Sequence, residues 1–490
     1  MKEQTARAVL WMLLDIGGAQ ILSFVTYALL AHILGPGEFG VFAISLSLIA
    51  ITNVVLFQGF GDALIQREDV GEDHLSTVFW INVAIALILT ALLQLTAPLM
   101  ADIFAAPDLA SILRWMSLLC ILRALVSVHS ALCRRQLDLS VFALRSIAAW
   151  LLGGVASIVL ALKGLGGAAL VACQLVQAVV ILIVMWRAVP WRPQLRFSMP
   201  LFHDMARFSW HYIAANLVVA TVERIDTLVI GLFLDATAVG YYAMALRVIQ
   251  TASMATISPV QIVVMPVLSR MVENRAAFCA GYGKLVLSTY AVWLPAAVTV
   301  GVLAPVLVPL VFGVQWGSAV PIVQAMCLAG LSTALWAFTG QALSALGRPD
   351  VFTRLATIQL VVAVLVFAAA SQFGIVAAGW AWAGLSIVAV PLHLTVFRRV
   401  SGFDPRPLLG DAFRIALCGG AMAAVMLVVG RAGGSPQWVM VVQVAAGAAV
   451  YLALMELVLM RGYVSGLLAL VLTRIPPRHA TRASAEGRLR

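Results

Sequence analysis

The sequence contains few charged residues. Only 11% of its 490 residues are Asp, Glu, Lys or Arg, whereas 63% are hydrophobic and the mean hydropathy is +1.03. A water-soluble domain carries about 25% charged residues, so the composition excludes that class. Apolar runs long enough to cross a hydrocarbon core of ~30 Å recur from residue 9 to residue 460. No stretch remains for a soluble catalytic domain, and we do not expect an enzyme.

Paired cysteines are also absent. The six cysteines are scattered without C-x-x-C spacing, which argues against a disulfide framework and a metal site. The apolar runs lack the alternation of apolar and polar residues that membrane strands show over ~10 residues. The sequence therefore predicts an all-α polytopic membrane protein with about fourteen spans, at residues 9–34, 39–60, 76–104, 110–133, 141–162, 165–187, 206–234, 238–268, 282–312, 318–346, 351–371, 374–397, 410–430 and 436–460.

Basic residues are concentrated in alternate loops. If the N-terminus is cytoplasmic, most of the 31 lysines and arginines fall on the cytoplasmic side, whereas Lys163, Arg431 and Arg114 lie on the other. This asymmetry follows the positive-inside rule and predicts that both termini are cytoplasmic. The net charge of +10 is then explained by topology, and nucleic acid is not expected as a partner.

The two halves of the chain repeat. Residues 34–49 match residues 234–249 at an offset of 200, with Gly40 opposite Gly240, and later segments match at an offset of 210. Six spans is an even number, so the pattern predicts two six-helix bundles related by a pseudo-two-fold axis along the membrane normal, with a cleft between them. We expect an N-terminal lobe (1–200), a C-terminal lobe (201–400), two extra spans (401–462), and an amphipathic segment with a basic cytoplasmic tail (463–490).

Ionisable and polar residues occur inside several predicted spans. On a continuous helix, Ser209, Tyr212, Asn216, Glu223, Asp226 and Thr227 of the seventh span fall within an arc of about 100°, with Arg224 outside it. The eighth span carries Arg247 and Gln250, the first Asp15 and the fourth Arg123. We also expect Pro259, Pro266, Pro295 and Pro305 to interrupt helices of the second half.

Each charge disfavours insertion by about 2.5 to 3.5 kcal/mol at the centre of a span, so these groups should face water or one another. One interpretation is a static ion pair, in which Glu223 or Asp226 bonds Arg224 or Arg247. The other, which the whole set favours, is a hydrated cavity. Its predicted members are the substrate-binding arginines Arg123, Arg224 and Arg247, the acids Asp15, Glu223 and Asp226, and the polar residues Tyr212, Asn216 and Gln250.

The residue types indicate what such a cavity would bind. Arginine matches phosphate oxygens with a planar fork, so the three arginines predict an anionic, phosphate-bearing substrate. The acids would take up H⁺ or Na⁺, or hold the arginines in place. His211 is interpreted as a structural histidine rather than a proton relay, and Trp380 and Trp382 are candidates for contact with sugar. No other cofactor is expected.

Three stretches carry a family resemblance: LLAHILGPGEFGVFAIS, GFGDALIQRED followed by HLSTVFWIN, and ERIDTLVIGLFLDATAVGYYAMALRV. They resemble the Wzx-type polysaccharide flippases, which include O-antigen flippases, of the multidrug/oligosaccharidyl-lipid/polysaccharide (MOP) transporter superfamily. The resemblance covers residues 5–460. It places Asp226 where such proteins commonly carry Asp, and Arg247 where a basic residue is common; Asp15, Arg123 and Glu223 match no family motif.

The resemblance implies two six-helix lobes around a cavity and two additional helices. It implies alternating-access movement of an undecaprenyl-pyrophosphate-linked oligosaccharide across the bacterial inner membrane, alongside membrane lipids and polysaccharide polymerase or export machinery. The alternatives are a cation-coupled multidrug antiporter, disfavoured by the arginines, and a membrane glycosyltransferase or polymerase, disfavoured by the short external loops. A non-transporting scaffold is disfavoured by the buried charges.

Overall fold

A computed structural model describes residues 2–57, 71–135, 139–431 and 436–458, and these residues are almost entirely helical. The α-helices are α1 (Lys2–Ile33), α2 (Pro36–Phe57), α3 (Glu72–Ile103), α4 (Asp108–Arg135), α5 (Leu139–Leu162), α6 (Ala168–Ala188), α7 (Met199–Val222), α8 (Ile225–Phe233), α9 (Ala236–Thr256), α10 (Ser258–Ser269), α11 (Arg275–Phe312), α12 (Val320–Met326), α13 (Gly330–Ala345), α14 (Pro349–Ser371), α15 (Ile375–Ser401), α16 (Pro405–Gly430) and α17 (Pro436–Val458). Short 3₁₀ turns at Val314–Ala319 and Cys327–Ala329 flank α12.

The described helices confirm the all-α membrane class. Ten are long and apolar enough to cross a membrane, and the pair Val314–Ala329 and Ser332–Ala345, bent by 51°, would be an eleventh span. The remaining three predicted spans coincide with α1 and with two helix pairs, α7 with α8 and α9 with α10. Hydropathy located these segments because a run of apolar side chains is needed wherever a helix crosses lipid.

The seventh span is divided in the middle of its charged segment, although the sequence analysis treated it as one helix. Helix α7 ends at Val222, and α8 begins at Ile225 after Glu223 and Arg224. Arg224 has φ −127° and ψ −10°, outside the helical region. Non-helical backbone is tolerated at membrane depth only inside protein or beside a water-filled cavity. The break therefore points to such an environment.

Pro295 and Pro305 lie inside α11, and Pro266 lies inside α10, without breaking the helix, so the prediction that these three prolines interrupt a helix is wrong. A proline deprives the carbonyl four residues earlier of its hydrogen-bond donor. Here the Tyr451 hydroxyl of α17 donates to the Ala291 carbonyl at 2.7 Å, and the Gln324 amide donates to the Gly301 carbonyl at 3.3 Å. Side chains from neighbouring helices satisfy both carbonyls, which keeps the helix continuous. Pro259, by contrast, follows the break between α9 and α10 at Ile257.

The two halves of the chain meet where α2 and α9 begin. A Cβ atom on Gly40 would lie 1.6 Å from the Ala236 carbonyl oxygen, and one on Gly240 would lie 1.9 Å from the Pro36 carbonyl oxygen. Both pairs are related by the sequence offset of 200. Only glycine permits this approach, because the neighbouring atoms belong to the backbone. We call this contact the glycine crossing.

Contacts from the 3₁₀ turn after α11 strengthen the same end of the molecule. The fully buried Trp316 indole donates to the Ala31 carbonyl at 2.9 Å, and Gln315 donates to the same oxygen at 2.7 Å. The hydrophobic core runs through this region and includes residues of both halves. The glycine crossing and the loops beside it define one face of the protein, which we call the crossing face.

Helices α16 and α17 pack against each other and against α11. The Tyr451 hydrogen bond to Ala291 is part of that contact, as is a cluster of buried residues that includes Met422 and Met426. The two helices therefore attach to the second half of the chain through one long helix.

Candidate functional site

A cavity of about 1260 Å³ lies within the helices of the second half. The described residues that line it fall between positions 215 and 392 and come from α7 to α10 and α13 to α15. The lining reaches Ser344 and Pro349, where α13 ends and α14 begins. By the course of the chain, these residues lie at the face opposite the glycine crossing, which we call the cavity face.

The helix break of the seventh span forms part of the cavity wall. Glu223, Arg224 and Asp226 all line the cavity. Glu223 is exposed and Arg224 half-buried, whereas Asp226 is only 6% exposed. The break turns the first residues of α8 toward this space. The three ionisable residues of the predicted span therefore border a cavity.

Asp226 is held by hydrogen bonds, and no described arginine forms an ion pair with it. One carboxylate oxygen accepts from the backbone N–H of Thr227 at 2.6 Å and from its hydroxyl at 3.2 Å. The other accepts from the hydroxyl of Tyr242, a fully buried residue of α9, at 2.8 Å. Several donors are what a buried carboxylate requires. Sequence reasoning did not single out Tyr242, although it lies in the GYY motif after α8.

Arg224 borders two spaces. Besides the large cavity, it lines a void of about 90 Å³ between the two halves, together with Thr227, Leu246 and Gln250. Tyr27 and Phe42 form the first half's side of this void. Arg224 and Gln250 therefore lie where the cavity wall meets the contact between the halves.

Arg247 crosses from one half to the other. Its guanidinium carbon lies 4.1 Å from the centre of the Tyr27 ring, and it donates a hydrogen bond to the Ser23 hydroxyl. Gln174 donates to the Tyr27 hydroxyl at 3.3 Å. Arg247 lines the small void and is absent from the described wall of the large cavity. Its position suits a contact between the halves better than the substrate site predicted for it.

The structure brings five of the predicted residues to the large cavity: Asn216, Glu223, Arg224, Asp226 and Gln250. Arg123 is half-buried on α4, away from the described lining. The side chains of Asp15, Tyr212 and His211 lie outside the described residues. In the described wall, one of the three predicted arginines, Arg224, accompanies the carboxylates of Glu223 and Asp226. Neither Arg123 nor Arg247 belongs to that described wall.

Part of the lining was not predicted. Trp336, Gln341, Phe352 and Gln359, from α13 and α14, line the cavity with Trp382 of α15. Trp380 and Trp382 were both candidates for sugar contact. Trp382 lines the cavity, whereas Trp380 is 55% exposed and absent from the described lining. Glutamines and aromatic residues scattered through apolar spans gave no signal, because their significance depends on which helix faces meet. Among the described residues, no group of three or more His, Cys, Asp or Glu could hold a metal ion.

Comparison with known sequences supplies a family match. Residues 29–321 match the family described as "Polysaccharide biosynthesis protein". The chain is 29% identical over 332 residues to the succinoglycan biosynthesis transport protein ExoT of Rhizobium meliloti, and this match covers 66% of the chain and 65% of that protein. It is 25% identical over 359 residues to the lipopolysaccharide biosynthesis protein WzxC of Escherichia coli, which covers 72% of each chain.

Comparison with solved structures shows the fold. The lipid II flippase MurJ in an inward closed conformation has a TM-score of 0.75 at 15% identity, covering 95% of this chain and 100% of that one. An inward-facing multidrug resistance MATE family transporter of the MOP superfamily has a TM-score of 0.63 at 16% identity, covering 78% and 95%. The chain therefore has the fold that these transporters share.

Proposed function

Since the chain belongs to the polysaccharide biosynthesis protein family, we propose that it is a flippase for an undecaprenyl-pyrophosphate-linked oligosaccharide repeat unit. The relatives named for succinoglycan and lipopolysaccharide biosynthesis support exopolysaccharide, capsule or O-antigen as the product class. The unit would move from the cytoplasmic to the outer leaflet of the bacterial inner membrane without covalent change. Membrane lipids and polysaccharide polymerase or export machinery would be its partners.

The substrate poses a solvation problem that a cavity solves. The oligosaccharide and pyrophosphate cannot be solvated in hydrocarbon, whereas the polyprenyl chain is soluble there. The cavity of about 1260 Å³ is larger than the ~300–1,000 Å³ of ordinary small-molecule pockets, which suits a sugar head group. Its hydroxyl, amide and aromatic lining replaces water for such a group.

The observation that carries the proposal is the helix break in the cavity wall. The N-terminal end of α8 carries the positive end of the helix dipole, and Arg224 lies at that end as its N-cap residue. Half-helix N-termini commonly face anionic substrate groups in transporters with broken spans. Arg224 and the first turn of α8 would therefore hold the pyrophosphate.

The acidic residues beside Arg224 suit a coupling role. Glu223 is exposed to the cavity and can exchange H⁺ or Na⁺ with it, whereas Asp226 is buried on Tyr242 and Thr227. An ion bound at Glu223 would reduce the negative charge beside the pyrophosphate site. Ion binding would then bias the balance between the two open states.

Alternating access follows from the two faces. The glycine crossing closes one face, while the cavity lining extends to helix ends at the other. Positive-inside asymmetry supports a cytoplasmic cavity face and cytoplasmic termini. The structure would then be the state that loads substrate from the cytoplasm.

A second candidate function is export of organic cations. The exposed carboxylate of Glu223 and the aromatic rings in the wall favour it, because such groups bind cationic, apolar molecules. The family match favours the lipid-linked sugar. Direct transport measurements separate the two.

The test uses proteoliposomes containing the full chain and a fluorescent undecaprenyl-pyrophosphate-linked sugar, with translocation followed by a membrane-impermeant quencher. We expect Arg224→Ala to slow translocation at least tenfold, because removing a charge-assisted contact to phosphate costs roughly 1.5–3 kcal/mol. Arg431→Ala is the matched control, since Arg431 is exposed at the end of α16.

The outcomes distinguish the candidates. An Arg224→Ala variant as fast as wild type would remove Arg224 from the pyrophosphate site. A wild-type protein that moves ethidium out of vesicles, but leaves the tagged lipid in place, would establish the second candidate instead.

A further inference from the structure

One wall of the cavity differs in chemistry from the wall that carries Arg224. Charged side chains come from the break between α7 and α8, whereas α13, α14 and α15 contribute aromatic and amide side chains. We call the set Trp336, Gln341, Phe352, Gln359 and Trp382 the aromatic-amide wall. All five line the cavity, and none carries a charge.

Trp336 is the centre of this wall and is held in place by other rings. The Phe352 ring centroid lies 5.1 Å away at an interplanar angle of 46°, and the His393 ring centroid lies 5.6 Å away at 62°. Phe352 itself packs close to α13, since a Cβ on Gly340 would meet its ring at 3.0 Å. An indole fixed by its neighbours, with surface left on a cavity, is a preformed stacking platform.

Gln359 is oriented by a chain of buried hydrogen bonds. Its Nε2 lies 2.8 Å from Nε2 of His393, and Nδ1 of His393 lies 3.5 Å from the Thr339 hydroxyl. The Thr339 hydroxyl donates to the Leu335 carbonyl at 2.6 Å and lies 2.9 Å from the Tyr282 hydroxyl.

Because the Thr339 proton is directed to a carbonyl, Thr339 accepts from Nδ1–H of His393, which leaves Nε2 as the acceptor for Gln359. The amide of Gln359 then keeps its carbonyl oxygen and one N–H for a ligand. His393 is 2% exposed and Thr339 is fully buried, so water does not compete for this chain. His393 acts here as a positioning residue.

Gln341 supplies a polar atom without a partner. Its Oε1 is buried and accepts no hydrogen bond from the described residues, although Gln341 lines the cavity. A buried acceptor left unsatisfied is costly, so turning the amide of this cavity-lining residue toward a ligand donor would relieve it. Sugar hydroxyls donate and accept at one atom, which matches both Gln341 and the free groups of Gln359.

We propose that the aromatic-amide wall is a sugar subsite: one pyranose ring of the oligosaccharide stacks on Trp336, and its hydroxyls bond Gln341 and Gln359. The assignment rests on the proposed flippase function and adds which part of the cavity reads the glycan. Apolar C–H faces and hydroxyl edges of a pyranose correspond to the indole and the two amides. The pyrophosphate remains with Arg224 on the other wall.

The experiment compares two probes on the full chain in lipid nanodiscs by isothermal titration calorimetry. One is citronellyl pyrophosphate, and the other is the same lipid bearing glucose, galactose or N-acetylglucosamine. The quantity of interest is the sugar increment, which is the ratio of the dissociation constants without and with sugar. Binding of the sugar-free probe reports folding and the pyrophosphate site in each variant.

We expect at least one sugar to tighten wild-type binding roughly tenfold, since a stacked ring and two amide contacts together exceed 1.4 kcal/mol. Trp336→Ala should reduce the increment to near one while leaving the sugar-free probe unchanged. Trp380→Ala is the matched control, because Trp380 is exposed and lies two positions from the cavity residue Trp382. It should leave the increment unaltered.

If Trp336→Ala no longer binds the sugar-free probe, Gln341→Leu becomes the variant that tests the sugar subsite. The Oε1 of Gln341 forms no hydrogen bond with the described residues that the substitution would break, and leucine is close to glutamine in size, so we expect the increment to fall several-fold. The sugar subsite alone is overturned if none of the three sugars gives an increment in the wild type. It is also overturned if the increment survives in Trp336→Ala, or survives in Gln341→Leu when Trp336→Ala no longer binds the sugar-free probe. Failure of the wild type to bind either probe overturns the proposed function as well.

Discussion

Replacing either glycine of the glycine crossing by alanine should prevent closure of the crossing face. A Cβ on Gly40 would lie 1.6 Å from the Ala236 carbonyl oxygen, whereas ordinary contact begins at 3.4 Å. The two backbones would have to separate by roughly 2 Å, because neither atom can rotate away as a side chain could. Overpacking of this kind costs about 1–3 kcal/mol, and backbone atoms place the value at the upper end.

A cost of about 3 kcal/mol changes the population of the closed state roughly 100-fold. We therefore expect Gly40→Ala and Gly240→Ala to shift the protein toward a state open at the crossing face. Transport would slow, since the return to the structure described here becomes unfavourable. The two variants should behave alike, because each glycine faces the other half's backbone in the same way.

Cysteine labelling can measure the shift. Thr333→Cys, placed in the cavity wall of a chain whose six native cysteines are replaced, is reacted with a membrane-impermeant maleimide added to either face. The parent should react from the cavity face, and the glycine variants from the crossing face. Gly384→Ala is the matched control, since a Cβ there meets no atom of the described residues within 4 Å. Parent-like labelling and transport in both glycine variants would refute the argument.

Two further predictions concern contacts between helices. Arg247→Met should loosen the contact between the halves, because it removes the cation–π contact with Tyr27, worth about 0.5–2 kcal/mol, and the hydrogen bond to Ser23. The maleimide assay should then show faster labelling from the crossing face, and an unchanged rate would argue that Arg247 does not hold the halves together. Tyr451→Phe should destabilise the protein by about 1–3 kcal/mol, because the Ala291 carbonyl loses its donor. Thermal unfolding in detergent measures this loss of stability. Adding Pro295→Ala should reverse the loss by returning a backbone N–H to α11. An equal loss from Tyr451→Phe with Pro295 and with Ala at that position would contradict the argument.

Some features of the protein could be read from single segments of sequence. The membrane class, the positions of the helical spans and the repeat that pairs Gly40 with Gly240 were all predicted. Each depends on properties that a segment carries by itself: transfer of apolar side chains into lipid, or a glycine at equivalent positions of two copies. The charged segment at 223–226 was likewise recognised, because charge at membrane depth is unfavourable wherever the segment packs.

Other features exist only once helices pack together. The break before Ile225 places Arg224 in the cavity wall, and Arg247 instead crosses to Tyr27. The Ala291 carbonyl that Pro295 leaves without a backbone donor is satisfied by a hydroxyl from α17, which is far away in sequence but packed against α11.

The aromatic-amide wall is assembled from three helices whose sequences show no shared pattern. Burial, hydrogen-bond satisfaction and cavity shape are properties of several helices at once. Hydropathy, which treats each residue alone, therefore located the helices, and the tertiary structure decided which of their residues form the site.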